Sequence, residues 1–339
     1  MTRKLVVTDL NWSLFHEPTW HGLPSDPKDW VDIDVDEYIR FQKEVGNNCL
    51  FLQGTMFTGY AIYPSKLTPL APGKGSTIFP RFYEKARADG SMEIWSYMCV
   101  GCDVFVAGSR QDWIIPTSRQ YLEEGLIGPE TPWTEQLCER IYEFLSLYPV
   151  DVMMFDWFTY GSLCPDKFHV QPAWFVEKPF KEIIGRKMPK TAEKITPEES
   201  LIYKREVLAR QFNAIYNTVK QVSPKTKLCF NVPYWEAKEA LWEDHVMMEK
   251  TDILFAESSD DVVNWLLEKR KPHQDVMTTV IGRPGVGDEG VCDPNTWRKW
   301  YDKGCSFYGY VWGMPPNFLP DTRFENDLKI MKQAFREMK

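Results

Sequence analysis

The stretch that decides the fold is VDVMMFDWFTYG, residues 150–161. Within it, Val152–Phe155 is apolar at every position, and the run ends at a carboxylate, Asp156, which aromatic residues follow. A short run without polar residues is typical of a parallel strand that is buried on both faces. A charge at the end of such a strand is expected where the strand leaves the packed interior and meets a pocket. Asp156 is therefore the first candidate functional residue.

Runs of the same kind recur along the chain, and each is followed by a segment with helical spacing. The eight predicted strands are KLVVTD (4–9), CLFLQG (49–54), EIWSYM (93–98), VMMFDW (152–157), KLCFNV (227–232), ILFAES (253–258), VMTTVIGR (276–283) and FYGYVWG (307–313). The predicted helices are 35–45, 79–88, 134–147, 198–222, 237–250, 260–270, 295–304 and 324–338. Strict alternation of eight strands and eight helices predicts a single-domain (β/α)8 barrel, the TIM-barrel fold, over residues 1–339. An open doubly wound sheet is the alternative, but no GxGxxG motif follows a strand.

Boundary residues support these helices. Asp34, Thr134 and Asp293 are expected to begin helices, and Gly46 and Gly90 to end them. The connections from helix to next strand are short, whereas those after strands one to four have roughly 25 to 40 residues each. Long loops after the strands place the elaborated face at the C-terminal end of the barrel, where barrels of this kind have their active sites.

The candidate site consists of the residues at the ends of the predicted strands. In chain order these are Asp9, Gln53, Tyr97, Asp156, Asn231, Glu257, Arg283 and Trp312. Because all eight ends open on one face, we expect these side chains to surround one basin.

Elimination narrows the chemistry of this basin. No strand ends in histidine or lysine, which disfavours metal-dependent hydrolysis and Schiff-base aldolases, and Asn231 stands where an enolase-type site would need a carboxylate. Two carboxylates remain, Asp156 and Glu257, and they are the minimum set for glycoside hydrolysis. The sequence therefore predicts a glycosidase that needs neither metal nor cofactor.

A barrel with one acid ending strand four and another ending strand six resembles the retaining glycosidases of the α-galactosidase and α-L-fucosidase type. The resemblance covers the whole barrel and implies that Asp156 in MMFDWF is the nucleophile. It also implies that Glu257 in LFAESSDD is the general acid/base, with Asp260 as the substitute, and that Asp9 in VVTDLNW binds sugar hydroxyls. A β-sandwich domain after the barrel and the paired acids of the α-galactosidases on strand one are both absent from this sequence.

Aromatic residues fit a sugar ligand. Indole rings can cover the apolar face of a pyranose, and four of the 14 tryptophans fall at or just beyond strand ends. The predicted substrate-binding residues are Asp9, Trp12, Gln53, Tyr97, Trp157, Asn231, Trp235, Arg283 and Trp312.

Two other functions stay open. The Gly-rich segment GRPGVGDEG (282–290) is similar to the phosphate-binding loops of barrels, which would suit an isomerase, epimerase or lyase acting on a sugar, including a phosphorylated one. Its acidic residues, Asp288 and Glu289, would repel a phosphate. A barrel that binds saccharide without cleaving it would keep the aromatic residues and Arg283.

The composition indicates which kinds of partner and which cellular compartment to expect. A net charge of -8 without a Lys/Arg stripe disfavours nucleic acid and suits a small neutral carbohydrate. No apolar stretch is long enough for a membrane span or signal peptide, so we expect a cytoplasmic protein with reduced thiols, including the CVGC pair at 99–102. The long loop after strand four could reach a neighbouring subunit, which leaves a homo-oligomer open.

Overall fold

The computed structural model describes residues 2–8, 31–56, 59–71, 73–116, 125–160, 170, 173–232, 241–256, 260–280, 296–311, 313–314, 319–320 and 325–338. Eight parallel strands form one sheet in the order β1-β8-β7-β6-β5-β4-β3-β2. Their bounds are β1 (Lys4–Thr8), β2 (Cys49–Gln53), β3 (Glu93–Cys99), β4 (Val152–Asp156), β5 (Lys227–Asn231), β6 (Ile253–Ala256), β7 (Asp275–Thr279) and β8 (Ser306–Val311). All eight predicted strands are confirmed, and the fold is a (β/α)8 barrel. A short antiparallel pair, β9 (Gly313–Met314) and β10 (Leu319–Pro320), lies outside the main sheet.

The sheet curls until its two end strands meet. Asn48, just before β2, donates its backbone N–H to the Lys4 carbonyl over 3.1 Å. Its side chain accepts the Lys4 N–H at 2.7 Å and donates to the Thr2 carbonyl at 2.8 Å. One asparagine thus joins β2 to β1 and closes the barrel at its N-terminal end.

Helices follow the strands as the sequence pattern predicts. Their bounds are α1 (Val35–Val45), α2 (Ile78–Asp89), α3 (Val104–Ser109), α4 (Trp133–Leu147), α5 (Trp174–Ile184), α6 (Pro197–Val222), α7 (Val246–Lys250), α8 (Asp260–Lys269), α9 (Thr296–Tyr301) and α10 (Glu325–Glu337). Asp34 caps α1 by accepting two backbone N–H groups, and Gly46 and Gly90 end α1 and α2 in the left-handed conformation. None of the helices in the described segments is long and apolar enough to cross a membrane.

Three details differ from the prediction. Helix α4 begins at Trp133 after Pro132, so Thr134 lies inside the helix and does not cap it. Within the predicted helix 237–250, only Val246–Lys250 is helical among the described residues, and Asp244 has a left-handed φ of 50° that interrupts the helix. The long loops after β3 and β4 contain the additional helices α3 and α5.

Two apolar layers hold the barrel together. Alternate residues of each strand face inward and pack as one cluster; those on β2, β3 and β4 are Cys49, Phe51, Trp95, Tyr97, Cys99, Val152 and Met154. The opposite faces pack against the helices in a second, larger cluster. This alternation decides the site, because the next inward position after Val152 and Met154 is Asp156.

Charged side chains close the N-terminal end of the barrel. Arg3 donates to Glu93 at 2.7 Å and to Asp275 at 2.8 Å, and the Trp95 indole N–H donates to Glu93 at 2.9 Å. A cavity of about 1040 Å³ opens here, at the end opposite Asp156. Polar residues at this end of such barrels serve stability.

Candidate active site

Asp156 is the last residue of β4, and its carboxylate accepts hydrogen bonds from at least three donors among the described residues. The Tyr97 hydroxyl donates to Oδ2 over 2.9 Å, and the Asn231 amide donates to Oδ1 over 3.0 Å. The backbone N–H of Trp157 also donates to Oδ1, over 2.8 Å. The three donors fix both the position and the orientation of a carboxylate that is still partly exposed to solvent.

The register of neighbouring strands brings these groups together. Cys99 of β3 pairs with Asp156 of β4, so Tyr97 lies two residues below on the same inward face. Asn231 ends β5 on the other side of β4. Tyr97 and Asn231 are both nearly buried, at 5% and 8% exposure, so the sheet itself determines where their polar atoms point. These contacts bring the predicted site residues Tyr97, Asp156 and Asn231 together in the structure.

The backbone just after Asp156 is strained. Trp157 has a φ of 53°, a left-handed conformation that bulky residues rarely adopt and that costs roughly 1–3 kcal/mol. Two hydrogen bonds enforce it: the N–H bond to Asp156, and a bond of 3.1 Å from the Gly101 N–H to the Trp157 carbonyl. A Cβ on Gly101 would lie 2.7 Å from that carbonyl oxygen, so only glycine allows this approach.

The remaining predicted residues divide into two groups. Gln53 ends β2 at 2% exposure and pairs with Tyr97 of β3, so it lies on the same inner wall. The positions that lie outside the described residues are Asp9, Trp12, Trp235, Glu257, Arg283 and Trp312. Asp260, the substitute acid, is an exposed residue in the first turn of α8 and forms an ion pair with Lys299 of α9.

The thiols near the site are buried. Cys99 and Cys102 are both only 4% exposed, and the Cys99 sulfur lies 3.1 Å from the Tyr97 hydroxyl. Burial also raises the pKa of the Cys229 and Cys305 thiols, the latter to about 12, as expected for unreactive core residues. Among the described residues, no three His, Cys, Asp or Glu side chains converge as metal ligands would.

Two acids in the segment between β3 and α4 were not predicted. Asp103 caps α3 and accepts from Arg140 of α4 at 2.7 Å, and this ion pair is almost fully buried. Glu130 lies in the loop between β3 and α4, and its Oε1 accepts the hydroxyl of Tyr160 at 2.9 Å and that of Tyr203. Burial raises the pKa of Glu130 to about 7. No local sequence signal marks Glu130, because its partners are 30 and 73 residues away.

Comparison with solved structures identifies the same architecture elsewhere. α-L-Fucosidase isoenzyme 2 from Paenibacillus thiaminolyticus superposes with a TM-score of 0.71 over 99% of this chain, at 14% sequence identity. This chain spans 49% of that enzyme's length. The fold is that of α-L-fucosidase barrels. The resemblance predicted from the strand-four and strand-six acids is thereby confirmed at the level of the fold.

A second enzyme matches over most of its own length. α-L-Fucosidase AlfC from Lactobacillus casei, in complex with its α-L-fucose product, aligns with 98% of this chain and 95% of its own, with a TM-score of 0.53 and 14% identity. A variant of AlfC in complex with 4-nitrophenyl α-L-fucopyranoside has a TM-score of 0.52 at 13% identity. No protein-family model matches the sequence, and none of the curated proteins compared with it does.

Proposed function

We propose that this protein is a glycoside hydrolase that cleaves a small saccharide or glycoside, with Asp156 as the nucleophile. The observation that carries the proposal is the three-donor cradle around Asp156 at the C-terminal end of the barrel. A nucleophilic carboxylate must be held in line with the anomeric carbon, and donors on both oxygens provide that orientation. Because the neighbouring folds are α-L-fucosidases, α-L-fucosides are the first substrates to test.

The proposed mechanism uses two carboxyl groups, one as the nucleophile and one as the general acid/base. Asp156 attacks the anomeric carbon, the glycosidic C–O bond breaks, and the protonated general acid gives its proton to the departing oxygen. Water then attacks the glycosyl ester, the same acid residue takes a proton from that water, and the sugar leaves with Asp156 restored as a carboxylate. Glu257 is proposed for the acid/base role: Ile253 and Phe255 are inward residues of β6, and position 257 is next in that alternation. Retention of configuration requires the two carboxyl groups to be about 5 to 5.5 Å apart.

Tyr97 and Asn231 have parallel roles in this scheme. Tyr97 donates to Oδ2 of the nucleophile and Asn231 to Oδ1, so each stabilises its charge before attack and holds one of its two oxygens in place. The residues proposed to bind the sugar are Gln53 and Trp157, together with Asp9, Trp12, Trp235, Arg283 and Trp312.

The test is a panel of 4-nitrophenyl α- and β-glycosides that begins with the α-L-fucoside. Asp156→Asn should lower kcat by about 10⁴-fold or more, as loss of a covalent nucleophile does. Asp151→Asn is the matched control, because Asp151 lies just before the opposite end of β4 and pairs with Arg87 at 3.0 Å. Turnover of no glycoside, combined with saccharide-induced thermal stabilisation, would instead indicate a non-catalytic binding barrel.

A further inference from the structure

We propose that Glu130 is a positioning residue that holds the segment after β4, residues 157–160, and through it the orientation of Asp156. Glu130 lies in the loop between β3 and α4, and in this proposal it acts on Asp156 only through that segment. Its catalytic consequence rests on the function proposed above, whereas its ordering of the segment does not.

The geometry links three parts of the molecule at one carboxylate oxygen. Tyr160 is four residues after Asp156, and its hydroxyl donates to Oε1 of Glu130 over 2.9 Å. Tyr203, on the 26-residue helix α6, donates to the same oxygen. Glu130 therefore fastens the end of the segment after β4 to a long helix that packs against the barrel.

The segment between these anchor points is the strained one. Trp157 has its left-handed φ of 53°, and its N–H is one of the three donors to Asp156. A strained backbone persists only where its surroundings determine it on both sides. The Gly101 bond holds the Trp157 carbonyl, and the Glu130–Tyr160 bond holds the end of the segment.

The second carboxylate oxygen makes Glu130 unusual for a purely structural residue. Oε2 is buried and has no hydrogen-bond partner among the described residues. A glutamine would satisfy both tyrosines equally well through its amide oxygen. Among the described neighbours, helix α5 places the apolar Phe175 beside Gly128, and Arg210 of α6 is a cation that acts on Tyr203.

Hydrogen–deuterium exchange of the peptides that cover residues 157–160 tests the positioning directly. Glu130→Ala should raise exchange there at least tenfold while the β2 and β3 peptides change less than twofold. Tyr160→Phe, which removes a single hydroxyl, should raise it in the same segment, and this milder variant keeps the test valid if Glu130→Ala does not fold. Glu130→Gln should restore protection to within threefold of the wild type.

Glu143 offers a matched control, because it also accepts a tyrosine hydroxyl, that of Tyr63 at 3.3 Å, but braces the loop after β2. Glu143→Ala should raise exchange around residues 63–68 and leave 157–160 unchanged. Equal increases throughout the barrel in Glu130→Ala, or unchanged exchange at 157–160, would overturn the proposal and leave Glu130 a general stabilising residue.

Kinetics supply the catalytic readout. On a glycoside that the wild type cleaves, Glu130→Ala should lower kcat at least tenfold with less than a threefold change in KM, and Glu130→Gln should recover most of kcat. Increased exchange with unchanged kcat would refute the catalytic consequence. If the wild type cleaves no glycoside but the exchange pattern is as expected, the hydrolase proposal fails while the ordering of the segment stands.

Discussion

The buried carboxyl of Glu130 gives a stability prediction whose size follows from its pKa. Burial raises that pKa from 4.5 to about 7. Between these values the folded protein keeps a proton that the unfolded chain releases, so the unfolding free energy falls as pH rises from 4.5 through 7. A shift from 4.5 to about 7, at 1.36 kcal/mol per unit, corresponds to about 3 kcal/mol.

Glu130→Gln removes the ionisation and keeps an acceptor for both tyrosines. We therefore expect this variant to match the wild type near pH 4.5 and to exceed its unfolding free energy by about 3 kcal/mol at pH 8. Urea unfolding at several pH values measures the difference, which cancels the titration of every other group. Glu135→Gln, at an exposed position of α4, is the control for removing a glutamate charge. A difference between Glu130→Gln and wild type that stays constant within about 0.5 kcal/mol across this range would refute the reasoning.

Three further predictions concern the site and its support. Tyr97→Phe removes a donor to the Asp156 carboxylate and should lower kcat/KM about 10- to 100-fold, because a hydrogen bond to a charge contributes about 1.5–3 kcal/mol. Steady-state kinetics on the best glycoside measure this loss. An unchanged kcat/KM would contradict the role of Tyr97 as a donor to the nucleophile. Gly101→Ala places a Cβ 2.7 Å from a backbone carbonyl and should reduce kcat, with the fold retained by circular dichroism. Gly108→Ala is the control and should leave kcat unchanged, because among the described residues no atom outside its own helix lies within 4 Å of the added Cβ. Arg140→Met leaves the buried Asp103 without its cation and should lower the unfolding free energy, measured by urea unfolding, by about 3–5 kcal/mol. A loss below about 1 kcal/mol would show that the Arg140–Asp103 pair is not buried as described.

The barrel was predictable because its strands are buried on both faces. A parallel strand that is buried on both faces is mostly apolar, so the eight strands appear in the sequence as short, mostly apolar runs. Asp156 was recognisable for the same reason, since it is the first charged residue after such a run. Tyr97 and Asn231 followed from the rule that the C-terminal ends of parallel strands open on one face.

The parts that were missed depend on contacts between distant segments. Helices α3 and α5 lie within the long loops after β3 and β4, where the alternation of strands and helices does not predict them. Glu130 is indistinguishable from an exposed loop glutamate until the two tyrosines that bury it are known. Among the described residues, the helix predicted over 237–250 is shortened to Val246–Lys250 because Asp244 adopts a left-handed φ, which an apolar pattern cannot reveal.

Covalent trapping tests the central claim, that Asp156 is the nucleophile, most directly. A 2-deoxy-2-fluoro glycoside with a good leaving group, of the sugar that the panel identifies, should accumulate as a glycosyl-enzyme because the fluorine slows its hydrolysis. Peptide mass spectrometry should then find one added glycosyl group on Asp156 and none in the Asp156→Asn variant. A label on any other carboxylate, or rapid turnover of the reagent with inverted product and no label, would contradict the account.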